Sequence, residues 1–184
     1  LEMDVTLTSG NASVLFGARD ASNVFMWSVN TLDNEKEPLI RRHIYDRGRL
    51  QSSDTPIGKF FTKSDLLNKE HHLAIEAKDG VVKTYIDKVL VDTYTDTDSK
   101  LSNGYIGFRA FRGNNTNETA MFDNIVLTEY EQKGDKEEAK VVLKEDFEKP
   151  QSAFEGGEIV SVGGNRKLNM VSGSGDYRVL QVDM

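Results

Sequence analysis

The sequence predicts an all-β chain that folds as an antiparallel sandwich of two sheets. Apolar and polar side chains alternate with a period of two in short runs, and turns rich in Gly, Asn and Asp separate these runs. Helical periodicity is nearly absent. Strands at this spacing are typical of a sandwich, and a chain of 184 residues is long enough to bury its core.

The first predicted elements are strands at residues 2–7, 14–18 and 24–29, the last two separated by the turn residues 19–23. In the middle of the chain, Asp79-Gly80 suits a two-residue hairpin turn because these residues accept a positive φ. A second tight turn is predicted at Asp87-Lys88. The strands predicted around and after these turns are residues 72–77, 82–87, 89–94, 105–111 and 119–128.

One short helical turn is predicted at residues 64–68, with Ser64 as its N-cap, on a connection between strands. The core is predicted from apolar residues that recur within the strands. These positions are Val5, Leu7, Phe16, Leu73, Ile75, Ile86, Ile106, Phe108, Phe122 and Ile125.

The last third of the chain begins with a charged stretch. Residues 131–140 contain few apolar side chains and are interpreted as a linker, with a polar hairpin tip as the alternative. Strand-like runs resume at residues 141–147, 158–162, 167–171 and 177–184. Residues 180–184 repeat the apolar, polar, apolar, acidic, apolar order of residues 1–5, including the same Leu and the same Asp.

Composition excludes several classes of function. Acidic residues outnumber basic ones by 30 to 23, for a net charge of −7, which argues against nucleic-acid binding and against docking on anionic membranes. No apolar run approaches the roughly 18 residues of a membrane span. Because the chain has no cysteine, disulfides, thiolate metal sites and cysteine catalysis are excluded.

Three segments together resemble a known kind of module. They are residues 13–20 (Ser-Val-Leu-Phe-Gly-Ala-Arg-Asp), 104–109 (Gly-Tyr-Ile-Gly-Phe-Arg) and 120–127 (Ala-Met-Phe-Asp-Asn-Ile-Val-Leu), where Leu127 stands at a position that is often Val. Over residues 1–130 the chain resembles the bacterial concanavalin A/laminin G-like modules of carbohydrate-active enzymes. Met26-Trp27, followed by residues 39–43 and Gly48, is most similar to accessory modules of bacterial α-L-rhamnosidases.

This resemblance implies a concanavalin A-like jelly roll that is not itself an enzyme. The expected function is a non-catalytic carbohydrate-binding-like module, a fragment of a larger bacterial glycoside hydrolase with a glycan or polysaccharide as its partner. The alternative is a purely structural spacer or protein-interaction sandwich. The expected location is extracellular, periplasmic or at the cell surface.

The resemblance also implies an unusual order of segments. Such modules open with an Asp-Phe-Glu strand, a Gly-Gly turn and a Leu-x-Val-Asp-Val strand, which here are residues 145–148, 163–164 and 177–184. Residues 141–184 therefore complete residues 1–130 in cis or by swapping with a neighbour, or they begin a second tandem copy. The segment is too apolar to be disordered and too short to fold alone, so we expect it to pack as strands on a body like residues 1–130.

Candidate binding residues are Trp27, Arg41, His43, Tyr45 and Arg109, because aromatic faces and planar donors suit sugar recognition. Each has a structural alternative: Trp27 in the core, Arg109 in the sandwich, and the cationic cluster as a solvated strand face. Strand alternation places Arg41, His43 and Tyr45 on one side and Arg42 and Ile44 on the other.

No catalytic constellation is found. A glycosidase needs two carboxylates across the sugar, and no closely spaced pair on one strand is present. Asp92, Asp96 and Asp98 are interpreted as residues of a solvated strand end and turn. The resemblance implies a structural calcium ion as a possible cofactor, with Asp123 and Glu148 as its candidate ligands.

Overall fold

The computed structural model of the protein describes residues 1–20, 22–32, 34–97, 104–110, 112–113, 116–133, 136–149, 152, 154, 157–171 and 177–179. Two antiparallel sheets, sheet A and sheet B, pack face to face around a shared core, which confirms the predicted two-sheet sandwich. The first strands are β1 (Glu2–Ser9), β2 (Asn11–Asp20), β3 (Asn23–Asn30), β4 (Leu39–Asp46), β5 (Arg49–Pro56), β6 (Glu70–Lys78), β7 (Val81–Ile86) and β8 (Val89–Thr95). They are followed by β9 (Tyr105–Arg109), β10 (Arg112–Gly113), β11 (Thr116–Asn117), β12 (Thr119–Lys133), β13 (Lys136–Glu145), β14 (Glu158–Val162), β15 (Asn165–Val171) and β16 (Tyr177–Val179).

Each sheet combines strands from distant parts of the chain. Sheet A has the spatial order β14-β15-β12-β1-β6-β7-β8, and β13 also pairs with β12. Sheet B has the order β16-β9-β2-β3-β4-β5, and β10 and β11 form a separate two-stranded ribbon. Both ends of the chain therefore contribute strands to the sandwich.

The predicted core positions are all buried, at 6% exposure or less. The alternation of side chains along each strand explains this agreement, because one face of each sheet packs on the other sheet. Phe108 of sheet B and Phe122 of sheet A stack with their ring centroids 4.1 Å apart at the centre of the sandwich. This aromatic pair joins the two sheets directly.

The two predicted tight turns are confirmed by their backbone angles. Asp79 and Gly80 have φ values of 50° and 73°, and Asp87 and Lys88 have φ values of 50° and 68°. Two consecutive positive φ values match the right-handed twist of the flanking strands. Arg47-Gly48 forms a third turn of this kind, between β4 and β5, at φ values of 51° and 77°.

The predicted helical turn is present as α1 (Lys63–Leu66), but its N-cap is Thr62 rather than Ser64. The Thr62 side chain accepts a hydrogen bond from the backbone N–H of Asp65, while the Asp65 side chain accepts one from the backbone N–H of Thr62. This reciprocal pair satisfies two N–H groups at the helix start, which Ser64 cannot do from inside the first turn. No helix in the part of the chain that is described is long and apolar enough to cross a membrane.

The interpretation of residues 131–140 as a linker is wrong. β12 and β13 form one long antiparallel hairpin, in which Gln132 pairs with Glu137 and Glu131 with Glu138. Lys133 Nζ lies 2.6 Å from Glu138 Oε2, so opposite charges face each other across the ribbon. Both faces of this ribbon meet solvent, which explains a strand composition that lacks apolar residues.

The C-terminal segment joins both sheets of its own chain. β13 and β15 pair with β12, β14 pairs with β15, and β16 pairs with β9. Phe147 and Leu168 of this segment are fully buried in the core. Within this single chain, the C-terminal strands therefore pair with the strands of residues 1–130. Residues 180–184 lie outside the described part of the chain.

Candidate functional site

A row of polar side chains crosses the outer face of sheet B, the face directed away from sheet A. Strand register places five residues directly opposite one another, from β9 through β2, β3 and β4 to β5. We call this set the polar row: Arg109, Ser13, Ser28, Arg41 and Asp54. It arises because period-two alternation gives each strand one outward polar residue at the same level.

The centre of the polar row is buried. The hydroxyl oxygens of Ser13 and Ser28 lie 2.8 Å apart, and these residues are 0% and 2% exposed. Asn11 and Asn30 form the next cross-strand pair on the same face, and both are buried. We call these four residues the polar floor.

Hydrogen-bonding capacity in the polar floor is incompletely used. Asn11 Nδ2 donates to Glu118 Oε1 at 2.8 Å, and Asn30 Oδ1 accepts from the backbone N–H of Leu32 at 2.9 Å. Among the described residues, the opposite ends of both amides, Asn11 Oδ1 and Asn30 Nδ2, have no hydrogen-bond partner. Buried polar groups are nearly always paired with protein, water or ligand, so these two atoms are exceptions on this face.

Arg41 forms one wall of the site together with two carboxylates. Its Nε and Nη2 donate to the two carboxylate oxygens of Asp54 at 2.9 and 2.8 Å, and Nη2 also donates to Glu35 Oε1 at 2.9 Å. The hydrogen bonds from Arg41 are the main reason that the pKa of Asp54 is lowered. The same contacts raise the pKa of Arg41, so Arg41 and Asp54 are both ionised throughout the neutral range.

His43 lies one row beyond Arg41, opposite Met26 on β3 and Ser52 on β5. It is half-buried, and burial is the main cause of its lowered pKa; the positive charges of Arg109 and Arg41 lower it further. Its Nδ1 atom is buried without a hydrogen-bond partner among the described residues. His43 is therefore a neutral imidazole at pH 7 between two guanidinium groups.

The far end of the same face is apolar. Leu15, Ala18, Val24 and Met26 form a small buried cluster, separate from the main core, and Tyr45 and Tyr105 pack against it. Arg109 Nη1 lies 3.9 Å from the Met26 Sδ atom, so Arg109 sits at the border between the polar row and this cluster. Arg41, His43, Tyr45 and Arg109 are thus brought to one face, in agreement with the predicted strand alternation.

Trp27 does not belong to this face. It points to the inner side of β3, is 2% exposed and packs against Phe16 and Phe25, with ring centroids 5.0 and 5.8 Å away. Its neighbours Met26 and Ser28 take the outward positions. The assignment of Trp27 as a sugar-stacking platform is therefore wrong, and its structural alternative in the core is correct.

Arg42 also points inward and pairs with a buried acid of the other sheet. Its Nη1 lies 3.3 Å from Asp92 Oδ1, and Thr55 Oγ1 donates to the same oxygen at 2.7 Å. Asp92 and Asp96 are both buried, which corrects their interpretation as solvated residues; Asp98 lies outside the described residues. Asp92 has a structural role because it links the sheets.

The candidate calcium ligands are surrounded by hydrogen-bond donors. Asp123 accepts from the backbone N–H of Asn124 and from Asn165 Nδ2, both at 2.7 Å, and burial raises its pKa. Glu148 Oε1 accepts from the backbone N–H of Arg166 at 2.8 Å. Calcium needs six to eight oxygen ligands, and no cluster of three or more His, Asp or Glu within the described ranges could hold a metal ion. Both carboxylate oxygens of Asp123 and one of Glu148 thus already accept hydrogen bonds from the protein.

The polar floor was not singled out by sequence reasoning. The signal was present as outward polar residues in otherwise apolar strands, at 11 and 13 in β2 and at 28 and 30 in β3. Glu35 and Asp54, the partners of Arg41, carried no comparable pattern. Their role depends on strand pairing between distant parts of the chain.

Comparison with known proteins gives a structural likeness but no sequence family. No protein-family model and no curated protein matches the chain. Among solved structures, the chain is similar to the carbohydrate-binding module CBM66 from Bacillus subtilis, at 25% sequence identity and a TM-score of 0.39. The match covers 58% of this chain and 61% of that module, so it spans less than two thirds of the module.

Proposed function

We propose that the chain is a non-catalytic module that binds a neutral, hydroxyl-rich carbohydrate on the outer face of sheet B. The observation that carries this proposal is the polar floor, where buried amide atoms of Asn11 and Asn30 have no partner among the described residues. A sugar hydroxyl both donates and accepts, so it can satisfy an amide oxygen and an amide nitrogen at once.

The charges around the floor favour a neutral ligand. Two guanidinium groups, of Arg41 and Arg109, are accompanied by three carboxylates, of Glu35, Asp54 and Glu118. Because the carboxylates outnumber the guanidinium groups and His43 is neutral, an anionic sugar gains no net attraction here. Alternating donors and acceptors instead suit the neighbouring hydroxyls of a neutral pyranose.

The apolar end of the face can pack against the apolar side of a sugar ring, which is the second requirement of carbohydrate binding. Tyr45 and Tyr105 are part-exposed rings that pack on the small apolar cluster of the outer face. The apolar face of a pyranose can pack against such rings while its hydroxyls reach the polar row. Polar and apolar surfaces are thus adjacent, as a carbohydrate site requires.

The state of the carboxylates supports binding rather than hydrolysis. A glycosidase needs one protonated carboxyl group to donate to the leaving oxygen. Both oxygens of Asp54 accept hydrogen bonds from Arg41, and its pKa is lowered. Glu35 is held by the same guanidinium group. Asp54 is therefore not protonated for this chemistry at neutral pH.

The origin of the module is a further part of the proposal. The motifs at residues 104–109 and 120–127, and the strand that contains Met26-Trp27, support an accessory module of a larger exported glycoside hydrolase similar to α-L-rhamnosidases. Such an enzyme acts on glycans outside the cytoplasm. The module would hold the enzyme near a polysaccharide.

Affinity electrophoresis tests the proposal. Gels should contain rhamnose-rich or plant cell-wall polysaccharides as neutral ligands and polygalacturonate as an anionic one. We expect retention by a neutral polysaccharide and at least about tenfold weaker retention of Arg41→Ala, since a hydrogen bond to a charged group contributes about 1.5–3 kcal/mol. Arg47→Ala is the matched control, because the Arg47 side chain is 89% exposed on a turn.

Two results would contradict different parts of the proposal. Failure of the wild-type chain to be retained by any glycan would reject carbohydrate binding. Equal retention of Arg41→Ala and wild type would reject this site while leaving carbohydrate binding in place. Preferential retention by polygalacturonate would reject the neutral ligand class.

The burial of Trp27 favours a second candidate function, a structural spacer or protein-interaction module. Exposed tryptophan is a strong stacking platform for sugars, and the single Trp of this chain lies in the core. This candidate predicts a folded, stable chain that is retained by no glycan on the same gels.

A further inference from the structure

Four polar side chains meet between the two sheets, on the inner side of the sandwich. Trp27 and Arg42 lie directly opposite each other on β3 and β4 of sheet B, and both point inward. Thr84 and Asp92 lie opposite each other on β7 and β8 of sheet A. Trp27, Thr84 and Asp92 are 2%, 1% and 4% exposed. We call these four residues the inter-sheet polar cluster.

Direct contacts join the inter-sheet polar cluster across the sandwich. Arg42 Nη1 of sheet B lies 3.3 Å from Asp92 Oδ1 of sheet A. The Tyr94 ring lies beside two members, with its centre 5.6 Å from that of the Trp27 ring and 5.4 Å from the Arg42 guanidinium carbon. The four residues therefore border one small region between the sheets.

Three atoms of this cluster have hydrogen-bonding capacity that the protein does not use. Trp27 Nε1, Arg42 Nε and Thr84 Oγ1 are buried and have no hydrogen-bond partner in the part of the chain that the structure describes. The two nitrogens only donate, whereas the hydroxyl both donates and accepts. Because a buried donor without a partner is costly, three such atoms around one region point to a bound polar ligand.

The region has a route to solvent at one edge of the sandwich. β5 is the edge strand of sheet B, and β8 is the edge strand of sheet A. Gln51 and Ser53 of β5 pair with Ile44 and Arg42, so they share the inward side of the strand, yet both are exposed. Sheet A therefore leaves this side of β5 uncovered, and small molecules can approach Arg42 from it.

Charge and hydrogen-bond type define the class of ligand. An anion is not favoured, because the Arg42 guanidinium already pairs with the Asp92 carboxylate. An apolar molecule would leave both N–H groups unsatisfied. A water molecule accepts and donates, and buried water typically makes about three hydrogen bonds to otherwise unsatisfied groups. Two N–H donors and one hydroxyl match this requirement.

We propose that an ordered water molecule is bound between the sheets, where it accepts from Trp27 Nε1 and Arg42 Nε and is hydrogen-bonded to Thr84 Oγ1. The water links β3 and β4 of sheet B to β7 of sheet A, beside the Arg42–Asp92 ion pair. This site is distinct from the polar row, because the cluster lies on the inner side of sheet B and the polar row on its outer face.

Nuclear magnetic resonance of the full chain tests the water site. Trp27 is the only tryptophan, so its indole N–H gives a single assignable signal. Water-selective NOESY and ROESY spectra should both show a cross peak between water and this proton. The ROESY peak should be opposite in sign to the diagonal, which distinguishes dipolar contact from proton exchange. A sugar hydroxyl has the same hydrogen-bonding chemistry as water, so addition of a neutral disaccharide is a separate arm and should leave the cross peak unchanged.

Matched substitutions locate the water. Thr84→Val keeps the size of the side chain and should weaken the cross peak at least about twofold, since the hydroxyl is one of about three partners of the water. The cross peak should persist in Thr84→Ser, which keeps the hydroxyl, and in Thr93→Val, at an exposed position of β8. Absence of the cross peak in the wild type, or equal intensity in Thr84→Val, would overturn the proposal. Loss of the cross peak on addition of the disaccharide would assign the region to a sugar hydroxyl and overturn water as its ligand.

Discussion

Arg42 Nη1 and Asp92 Oδ1 lie 3.3 Å apart and form an ion pair between the two sheets. Arg42 belongs to β4 of sheet B and Asp92 to β8 of sheet A. The Asp92 side chain is 1% exposed, and the Arg42 guanidinium also lies 5.4 Å from the centre of the Tyr94 ring. The pair is therefore largely removed from water, near one side of the core.

Loss of Asp92 is expected to destabilise the fold strongly. Asp92→Ala leaves the Arg42 charge buried without its partner, which typically costs about 3–5 kcal/mol of unfolding free energy. Urea denaturation followed by circular dichroism measures the change. Glu138→Ala is the matched control, because the Lys133–Glu138 pair is well exposed and should contribute less than about 1 kcal/mol. Comparable losses in the two variants would show that the inter-sheet pair has no special role.

The lowered pKa of His43 predicts a pH dependence of stability. The unfolded chain binds a proton at this residue as the pH falls below about 6.5, whereas folded His43 stays neutral to lower pH. Since the unfolded state then holds more protons, the free energy of unfolding should decrease from about pH 6.5 down to the folded pKa. The decrease should be smaller in His43→Gln than in wild type; His72→Gln, at a more exposed position, is the control.

Protonation of His43 should also weaken glycan binding. Protonation makes both ring nitrogens of His43 donors, so the ring loses the acceptor that it can offer to a sugar hydroxyl. Retention on a neutral polysaccharide is therefore expected to fall as the pH drops below the folded pKa of His43. Retention of His43→Gln should vary less over the same range. Identical pH profiles of the two proteins would exclude a contribution from this residue.

Lys63 is expected to hold the Glu35 carboxylate in place beside Arg41. Its Nζ donates to the backbone carbonyls of Leu32 at 2.5 Å and Glu35 at 2.7 Å, which fixes the loop that presents Glu35 to Arg41. Lys63→Met should lower the free energy of unfolding by about 1.5–3 kcal/mol, as expected for a charged hydrogen bond. It should also weaken glycan retention, whereas the exposed Lys36→Met should change neither. Normal glycan retention by Lys63→Met would exclude the positioning role.

Much of the fold could be predicted from local patterns in the sequence. The alternation around Leu73 and Ile75 defines their buried face, and Asp79-Gly80 defines a turn, because both signals depend on neighbouring residues. The charged residues 131–140 were misinterpreted because a solvated ribbon and a linker have the same composition. Pairing with a distant strand decides between them, and no local signal reports it.

The candidate site was harder to predict because it also depends on pairing between strands that are distant in the sequence. The alternation correctly grouped Arg41 with His43, but it could not decide which face of β3 carries Trp27, since Met26 and Ser28 on either side differ in polarity. The pair of Ser13 and Ser28 exists only through the register of β2 and β3. A polar floor built from two paired strands is a property of the sheet and not of either strand alone.

The environment of Trp27 predicts its fluorescence. Since this single Trp is 2% exposed, acrylamide should quench its emission only weakly, and the emission maximum should shift to longer wavelength on unfolding in urea. Binding of a neutral polysaccharide should leave the emission nearly unchanged, because the ring lies on the inner side of sheet B. Strong quenching in the folded chain would contradict this placement.

Removal of residues 131–184 should make the remainder aggregate. The deletion takes away β13 and β15, which pair with β12, and would leave the backbone N–H and carbonyl groups of the β12 edge open to another chain. It also removes Phe147 and Leu168 from the core, and each fully buried side chain of this size contributes about 1.5–3 kcal/mol. Light scattering during size-exclusion chromatography measures the outcome, and a deletion of residues 180–184 alone should stay soluble and folded. A fragment of residues 1–130 that is monomeric and unfolds cooperatively would show that the C-terminal strands are not needed to close the sandwich.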